Sequence, residues 1–260
     1  MAKENANKLV EESGMITHFK TTDILRKNGW SVLISPYYHD SISDSIRETD
    51  IIAEKQFNLS KDVFCDFSIQ LNIQLFIECK YIKQEIAFWF DEINVKEEIT
   101  NIEKEIDLNL AYEKSGDIEP KKFHHFDYKS AAKLFSTNSN KEDVIYKAMN
   151  QCLHSQINYR RTGKNPIFNR FYEKSFSKIV QYPVIVCDNF ENLFEVKFDD
   201  KGSFSTEGMK KNFVLEANYR DDYFLIDVVG INYLSVFLKS IEEEAKSLLE
   251  AYRFKKDIEN

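Results

Sequence analysis

Three short runs rich in apolar and β-branched residues, following a single helical segment, most limit what this chain can fold into. They occupy residues 30–34, 50–53 and 73–79. Runs of this length bounded by polar residues favour strands. The segment before them, residues 9–28, reads as a helix with Leu9, Ile16, Phe19, Ile24 and Leu25 apolar and a stop at Asn28-Gly29. A polar loop over 35–46 separates the first two strands. Strand, loop, strand, loop, strand at this spacing predicts an antiparallel meander. Residues 86–90 read as a fourth strand or as an extension of the third.

The remainder alternates helix and strand. Val95, Ile99, Ile102, Ile106 and Leu110 step by 4, 3, 4 and 4, which predicts an amphipathic helix ending near Ser115-Gly116. Residues 120–140 read as a mixed connection with a short helix at 128–135, and 142–159 as a helix. Strands are expected at 182–186 and 193–198, joined through Asp188-Asn189, then at 223–229, with a closing helix over 233–252. The expected class is therefore α/β, with an acidic helical insertion at about 91–140. With seven glycines and four prolines in 260 residues, long flexible linkers are not expected, and residues 1–260 read as a single domain.

Charge is unevenly placed. The net charge is −8, yet residues 91–119 alone hold ten acids against three lysines, while 160–178 carry six basic residues and one acid. Bulk charge therefore does not exclude a polyanionic partner. Cys65, Cys79, Cys152 and Cys187 are scattered without a CxxC pair, which argues against a zinc array or disulfide framework and for a reducing, cytoplasmic setting. The first thirteen residues lack the apolar stretch of a secretory signal. Residues 223–238 are interrupted by Asp227, Gly230 and Asn232, too short and polar for a membrane span.

Chemistry concentrates in one pair of motifs. Asp50 opens the second strand run, and Glu78-Cys79-Lys80 closes the third. Glu78 and Lys80, two apart on a strand, share a face, with Cys79 on the other. Two carboxylates and the Cys79 carbonyl are oxygen ligands suited to Mg²⁺ or Mn²⁺. Such an ion lowers the pKa of bound water and offsets charge on a phosphodiester under attack. Lys80 would orient or deprotonate the water, or hold the phosphate. In a chain that is 30% charged, Glu-x-Lys also arises by chance, and on an edge strand it is a solvated face.

The arrangement Asp50…Glu78-Cys79-Lys80 behind a helix and a strand resembles the PD-(D/E)xK nucleases, which have the restriction-endonuclease-like fold. Arg47-Glu48-Thr49-Asp50-Ile51-Ile52-Ala53 is similar to the R-E-x-D-I-x-A form of several bacterial branches. The resemblance covers residues 14–80 and extends through the helix ending near Tyr159. It implies an αβββαβ core, a mixed sheet flanked by helices, and a Mg²⁺-dependent (deoxyribo)nuclease of restriction, phage defence or repair. Asp50, Glu78 and the Cys79 carbonyl would be metal ligands and Lys80 the catalytic lysine. Gln151, preferred over Gln156, would face the site from the next helix. One departure stands out: where relatives carry a Glu on the first helix, this chain places His18, with Glu11 and Glu12 one to two turns earlier. That departure and the acidic insertion favour the alternative of a catalytically inactive module that binds nucleic acid or protein.

Partner surfaces follow from the same reading. Arg160, Arg161, Lys164, Arg170 and Lys174 would neutralise phosphates, with Phe168, Phe171 and Tyr172 stacking on bases; the other reading is a basic loop with its aromatics turned inward. DNA is the expected partner and RNA remains open. The helix over 95–110 would pack on its own domain, mediate a homodimer or a protein contact, or cover the basic groove. Phe88-Trp89-Phe90 reads as core in preference to a base platform.

Overall fold

The computed structural model describes residues 13–40, 43–59, 69–94, 123–136, 144–167, 170–171, 177–219 and 222–259, with Val10, Glu97 and Thr100. Apart from Glu97 and Thr100, the segment 95–110, expected as a helix with a dimer or partner role, lies outside the described residues, as do Leu9, Glu11, Glu12, Cys65, Phe168, Tyr172 and Lys174.

The chain is mixed α/β. In order it forms α1 (Met15–Lys27), β1 (Ser31–Ile34), β2 (Tyr37–Asp40), β3 (Ser45–Glu48), β4 (Ile51–Leu59), β5 (Ile69–Lys80) and β6 (Ile86–Asp91). There follow β7 (Ser130–Ser136), α2 (Val144–Thr162), β8 (Lys164–Asn165), β9 (Arg170–Phe171) and β10 (Ser177–Cys187). The chain closes with β11 (Leu193–Phe198), β12 (Phe204–Gly208), β13 (Phe213–Tyr219), β14 (Asp222–Gly230) and α3 (Leu234–Glu259). Ten strands make one mixed sheet in the order β1-β4-β5-β10-β14-β13-β7-β6-β11-β12.

The expected meander is present, since β1 and β4 pair antiparallel, as do β4 and β5. β10 then lies parallel to β5 on one side and to β14 on the other. A parallel neighbour requires a crossover, and α2 is part of it. Side chains alternate along β5. Leu71, Ile73, Leu75, Ile77 and Cys79 face a core shared with α1 and α3, while Phe76 joins the core beneath α2. α2 and α3 fit their layers through 3–4 spacing: Ile145, Ala148 and Cys152 on α2, and Leu234, Phe237, Leu238, Ile241, Ala245 and Leu248 on α3. Full burial of one such side chain stabilises the fold by roughly 1.5–3 kcal/mol.

Several expectations are corrected. The loop over 35–46 contains the β2–β3 hairpin, with Tyr37 opposite Glu48 and Asp40 opposite Ser45. It is tied down by two buried residues of β2, the Asp40 carboxylate and Tyr38, whose ring lies 6.2 Å from that of Tyr159 on α2. Residues 128–135 are not a helix. They enter β7, which pairs antiparallel with β6 and meets β13, so tertiary pairing overrides local preference and the supposed insertion contributes a strand to the main sheet. β6 is a separate strand in the far half of the sheet, not an extension of β5. β12, exposed at every position, and β13 were not expected as strands. β4 and β5 also run further than their apolar runs, because their ladder continues through Glu54, Gln56 and Asn58 to Leu59 opposite Ile69. In α1 the buried face is Thr17, Thr21, Thr22 and Leu25, and Ile16 and Phe19 are exposed. Among the described residues, no helix is long and apolar enough to cross a membrane.

Candidate functional site

The site forms where β4 begins and β5 ends. Ile51 opposite Ile77 is the last β4–β5 pair, so the backbone of Cys79 extends past the end of β4. Its N–H donates to Asp50 Oδ2 at 2.8 Å. In return the Asp50 N–H donates to Glu78 Oε1 at 3.3 Å. The N–H and C=O of one strand residue point the same way, which directs the Cys79 carbonyl to the same side as Asp50. There it meets the start of α1: the place a Cβ would take on Gly14 is 3.8 Å from that oxygen. Gly14 holds φ 77°, a left-handed value that glycine adopts without strain.

Glu78 and Lys80 share the α2 face. Lys80 Nζ donates to Glu78 Oε2 at 2.8 Å and to Gln151 Oε1 of α2 at 3.2 Å, and stands 3.9 Å from Asp50 Oδ2. Exposure grades across the group: Glu78 is 0% exposed, Lys80 18% and Asp50 29%. Burial pushes the Glu78 carboxyl up to about 7, against the pull of the neighbouring Lys80 charge. Burial works against the Lys80 charge too, but the Glu78 and Asp50 carboxylates prevail and its pKa is raised. The Cys79, Cys152 and Cys187 thiols are pushed up chiefly by burial, which leaves them poor nucleophiles; of Cys79, only the carbonyl is a suitable ligand.

Thus Asp50, Glu78, Cys79, Lys80 and Gln151 come together. The donor set is all oxygen, with one carboxylate sealed in the protein and the other half-open to solvent. A buried carboxyl that resists ionisation in this way gains from a cation beside it. These residues fit a hard divalent ion of the Mg²⁺ or Mn²⁺ class. Gln156 is not part of the group; its side chain is buried and donates to the Gln181 carbonyl at 2.9 Å. His18 is half-buried, one turn into α1 from Gly14, and its Nε2 is buried with no hydrogen-bond partner.

The basic residues stand apart. Arg160 and Arg161 are nine and ten residues beyond Gln151 on α2, about 14 Å along the axis. Arg160 lies 5.2 Å over the Phe224 ring and Arg161 5.8 Å over Tyr219. Lys164 and Arg170 fall in the small β8–β9 ladder. Of the aromatic run after β5, Phe88 is fully buried and Trp89 45% exposed, so the core reading holds for the first and not the second.

Two groupings escaped the sequence reading. Asp40 is buried and its Oδ2 receives Arg47 Nε at 2.7 Å and Ser43 Oγ at 2.7 Å, and lies 2.8 Å from His154 Nδ1. This pins the β2–β3 hairpin to α2. His154 follows Gln151 by three positions and so shares its helix face, but nothing local marks Asp40 as its partner. The second grouping surrounds His124 and His125 on the opposite side of the sheet; only the adjacency of two of the chain's five histidines hinted at it. No protein-family model, no curated protein and no solved structure matches this chain.

Proposed function

We propose that the chain is a metal-dependent nuclease of the PD-(D/E)xK type that hydrolyses DNA phosphodiester bonds. The observation that carries this reading is the convergence of Asp50, Glu78 and Lys80 where two paired strands diverge, with Gln151 of α2 closing the group. The order of a helix, an antiparallel three-strand meander, then a helix and a parallel strand supports a restriction-endonuclease-like core. Asp50, Glu78 and the Cys79 carbonyl would hold Mg²⁺ or Mn²⁺. A bound ion of this kind offsets phosphate charge and acidifies a water. Lys80 is held by Glu78 and Gln151 with its ammonium proton-bearing, so it serves as a hydrogen-bond donor that orients the water or the phosphate in preference to a base. Arg160 and Arg161 would contact the nucleic-acid backbone away from the reacting bond.

A cleavage assay with Mg²⁺ or Mn²⁺ on DNA and RNA tests the proposal. Asp50→Ala and Lys80→Ala should each lower cleavage by at least about a hundredfold. Undiminished cleavage in both would refute it, and cleavage of RNA alone would change the substrate. The second reading, a binding module without catalysis, is favoured by one feature: His18 stands on α1 where relatives of the family carry an acid. It predicts nucleic-acid binding with no metal-dependent cleavage.

A further inference from the structure

On the face of the sheet away from Lys80 and Gln151, beneath α3, a sealed polar cluster plays no part in the site above. It joins His124 and His125, in the 3-10 turn His124–Asp127, to Asp227 of β14, Glu244 of α3 and Tyr182 of β10. The two imidazoles and two carboxylates are each at most 3% exposed. Glu244 Oε1 accepts the Tyr182 hydroxyl. Its Oε2 accepts the His124 backbone N–H at 3.0 Å and lies 2.6 Å from His124 Nδ1. A carboxylate surrounded by donors is ionised, which assigns the proton of the His124 ring to Nδ1.

That assignment leaves a difficulty at the other ring nitrogen. His124 Nε2 lies 3.3 Å from Asp227 Oδ2, and His125 Nε2 lies 3.1 Å from Asp227 Oδ1. In a neutral His124 ring, Nε2 bears a lone pair, which the carboxylate oxygen repels unless positive charge stands between them. Charge balance points the same way, because two buried carboxylates need two positive charges nearby. Against burial, the Asp227 and Glu244 carboxylates raise the His124 pKa, so an imidazolium there supplies one; a second on His125 would be repelled across ring centroids 3.7 Å apart. One divalent cation with neutral imidazoles supplies the same charge without that repulsion.

We propose that His124, His125 and Asp227 bind a divalent cation of the zinc class, with Glu244 positioning His124 from behind. The three ligand atoms lie within 4.8 Å of one another. Asp227 turns one oxygen to each ring, Oδ1 to His125 Nε2 at 3.1 Å and Oδ2 to His124 Nε2 at 3.3 Å, so both imidazole nitrogens converge on one carboxylate as ligands of a single ion would. Two imidazole nitrogens and a carboxylate oxygen are donors that zinc accepts. A carboxylate behind a liganding histidine, as Glu244 stands behind His124, fixes the tautomer that a metal needs. With every member sealed from solvent, the ion's role is structural. It would fasten the turn before β7 to β14 and α3. The all-oxygen group at Asp50 and Glu78 suits a different ion, so the two sites are separable.

The test begins with elemental analysis of the purified full chain after dialysis into metal-free buffer. One zinc per chain is expected, and the same in Asp50→Ala, which leaves this cluster untouched. After the metal is stripped with a strong chelator, Zn²⁺ is titrated in competition with a chromophoric chelator. Asp227→Asn and His125→Gln should bind Zn²⁺ at least about a hundredfold more weakly, and Glu244→Gln about ten- to a hundredfold. Circular dichroism checks that the variants fold. If they do not, Co²⁺ added to the stripped wild-type chain decides, with the intense visible bands of a four-coordinate ion expected. Three results overturn the proposal: a stripped wild-type chain that binds no Zn²⁺, folded Asp227→Asn and His125→Gln chains that bind it as tightly as wild type, or Co²⁺ showing only its weak aqueous spectrum. Any of them makes the cluster a metal-free ion network.

Discussion

Glu78→Gln should remove a pH-dependent weakness from the metal-free protein. In the fold this carboxyl retains its proton up to about pH 7, chiefly because burial disfavours its charge; the unfolded chain releases it near the ordinary 4.5. Between those values the folded state binds more protons than the unfolded one, so unfolding free energy falls as pH rises and levels off above about 7. At about 1.4 kcal/mol per pH unit, the interval amounts to roughly 3 kcal/mol. Glu78 is 0% exposed, so solvent screens this contribution little. The amide that Glu78→Gln introduces cannot ionise, so the variant lacks this decline. It also leaves Lys80 with one fewer partner, but that changes the level of the curve and not its slope between pH 5 and 8. Urea denaturation in chelator across that range, for both proteins, measures the difference. Parallel pH profiles would refute the reasoning. Millimolar Mg²⁺ should restore wild-type stability at pH 8 and do little for the variant, because only an ionised Glu78 attracts the ion.

Three further outcomes are expected. Gln151→Ala removes one of the two closest contacts that position Lys80 Nζ, and should lower cleavage about tenfold while the melting temperature stays close to wild type. Phe88→Ala empties a fully buried position packed 4.8 Å from the Phe213 ring, and equilibrium denaturation should register a loss of about 3–5 kcal/mol. Arg161→Ala should reduce the salt dependence of DNA binding by about one unit of slope, read by fluorescence anisotropy at several salt concentrations; an unchanged slope would place Arg161 off the binding surface.

Much of the candidate site was legible because it depends on short-range rules. Alternation along a strand puts Glu78 and Lys80 on one face whatever surrounds them, and the acid at Asp50 opens the run that pairs with theirs. Gln151 could be named only through the family resemblance, since nothing in its own segment separates it from Gln156. The arrangement of His124, His125, Asp227 and Glu244 could not be read, because the histidines are separated from the acids by a hundred residues or more and each looks ordinary in its own segment. The β2–β3 hairpin was missed for a related reason. It is held by the polar group of Asp40, Arg47 and His154 and by Tyr38 against Tyr159, and one buried aromatic among polar residues leaves no apolar period to read. β7 was missed because β6 supplies the partner strand that its own composition does not announce.

The sequence by itself determined the mixed α/β class, the antiparallel meander and the residues that close it, since period-two and period-3.6 patterns act over a few residues. Tertiary structure alone decided how far the ladders run, where β6, β7, β12 and β13 join the sheet, and which charges are sealed from water. Those outcomes depend on strand edges and on desolvation, and both are set only when distant segments meet.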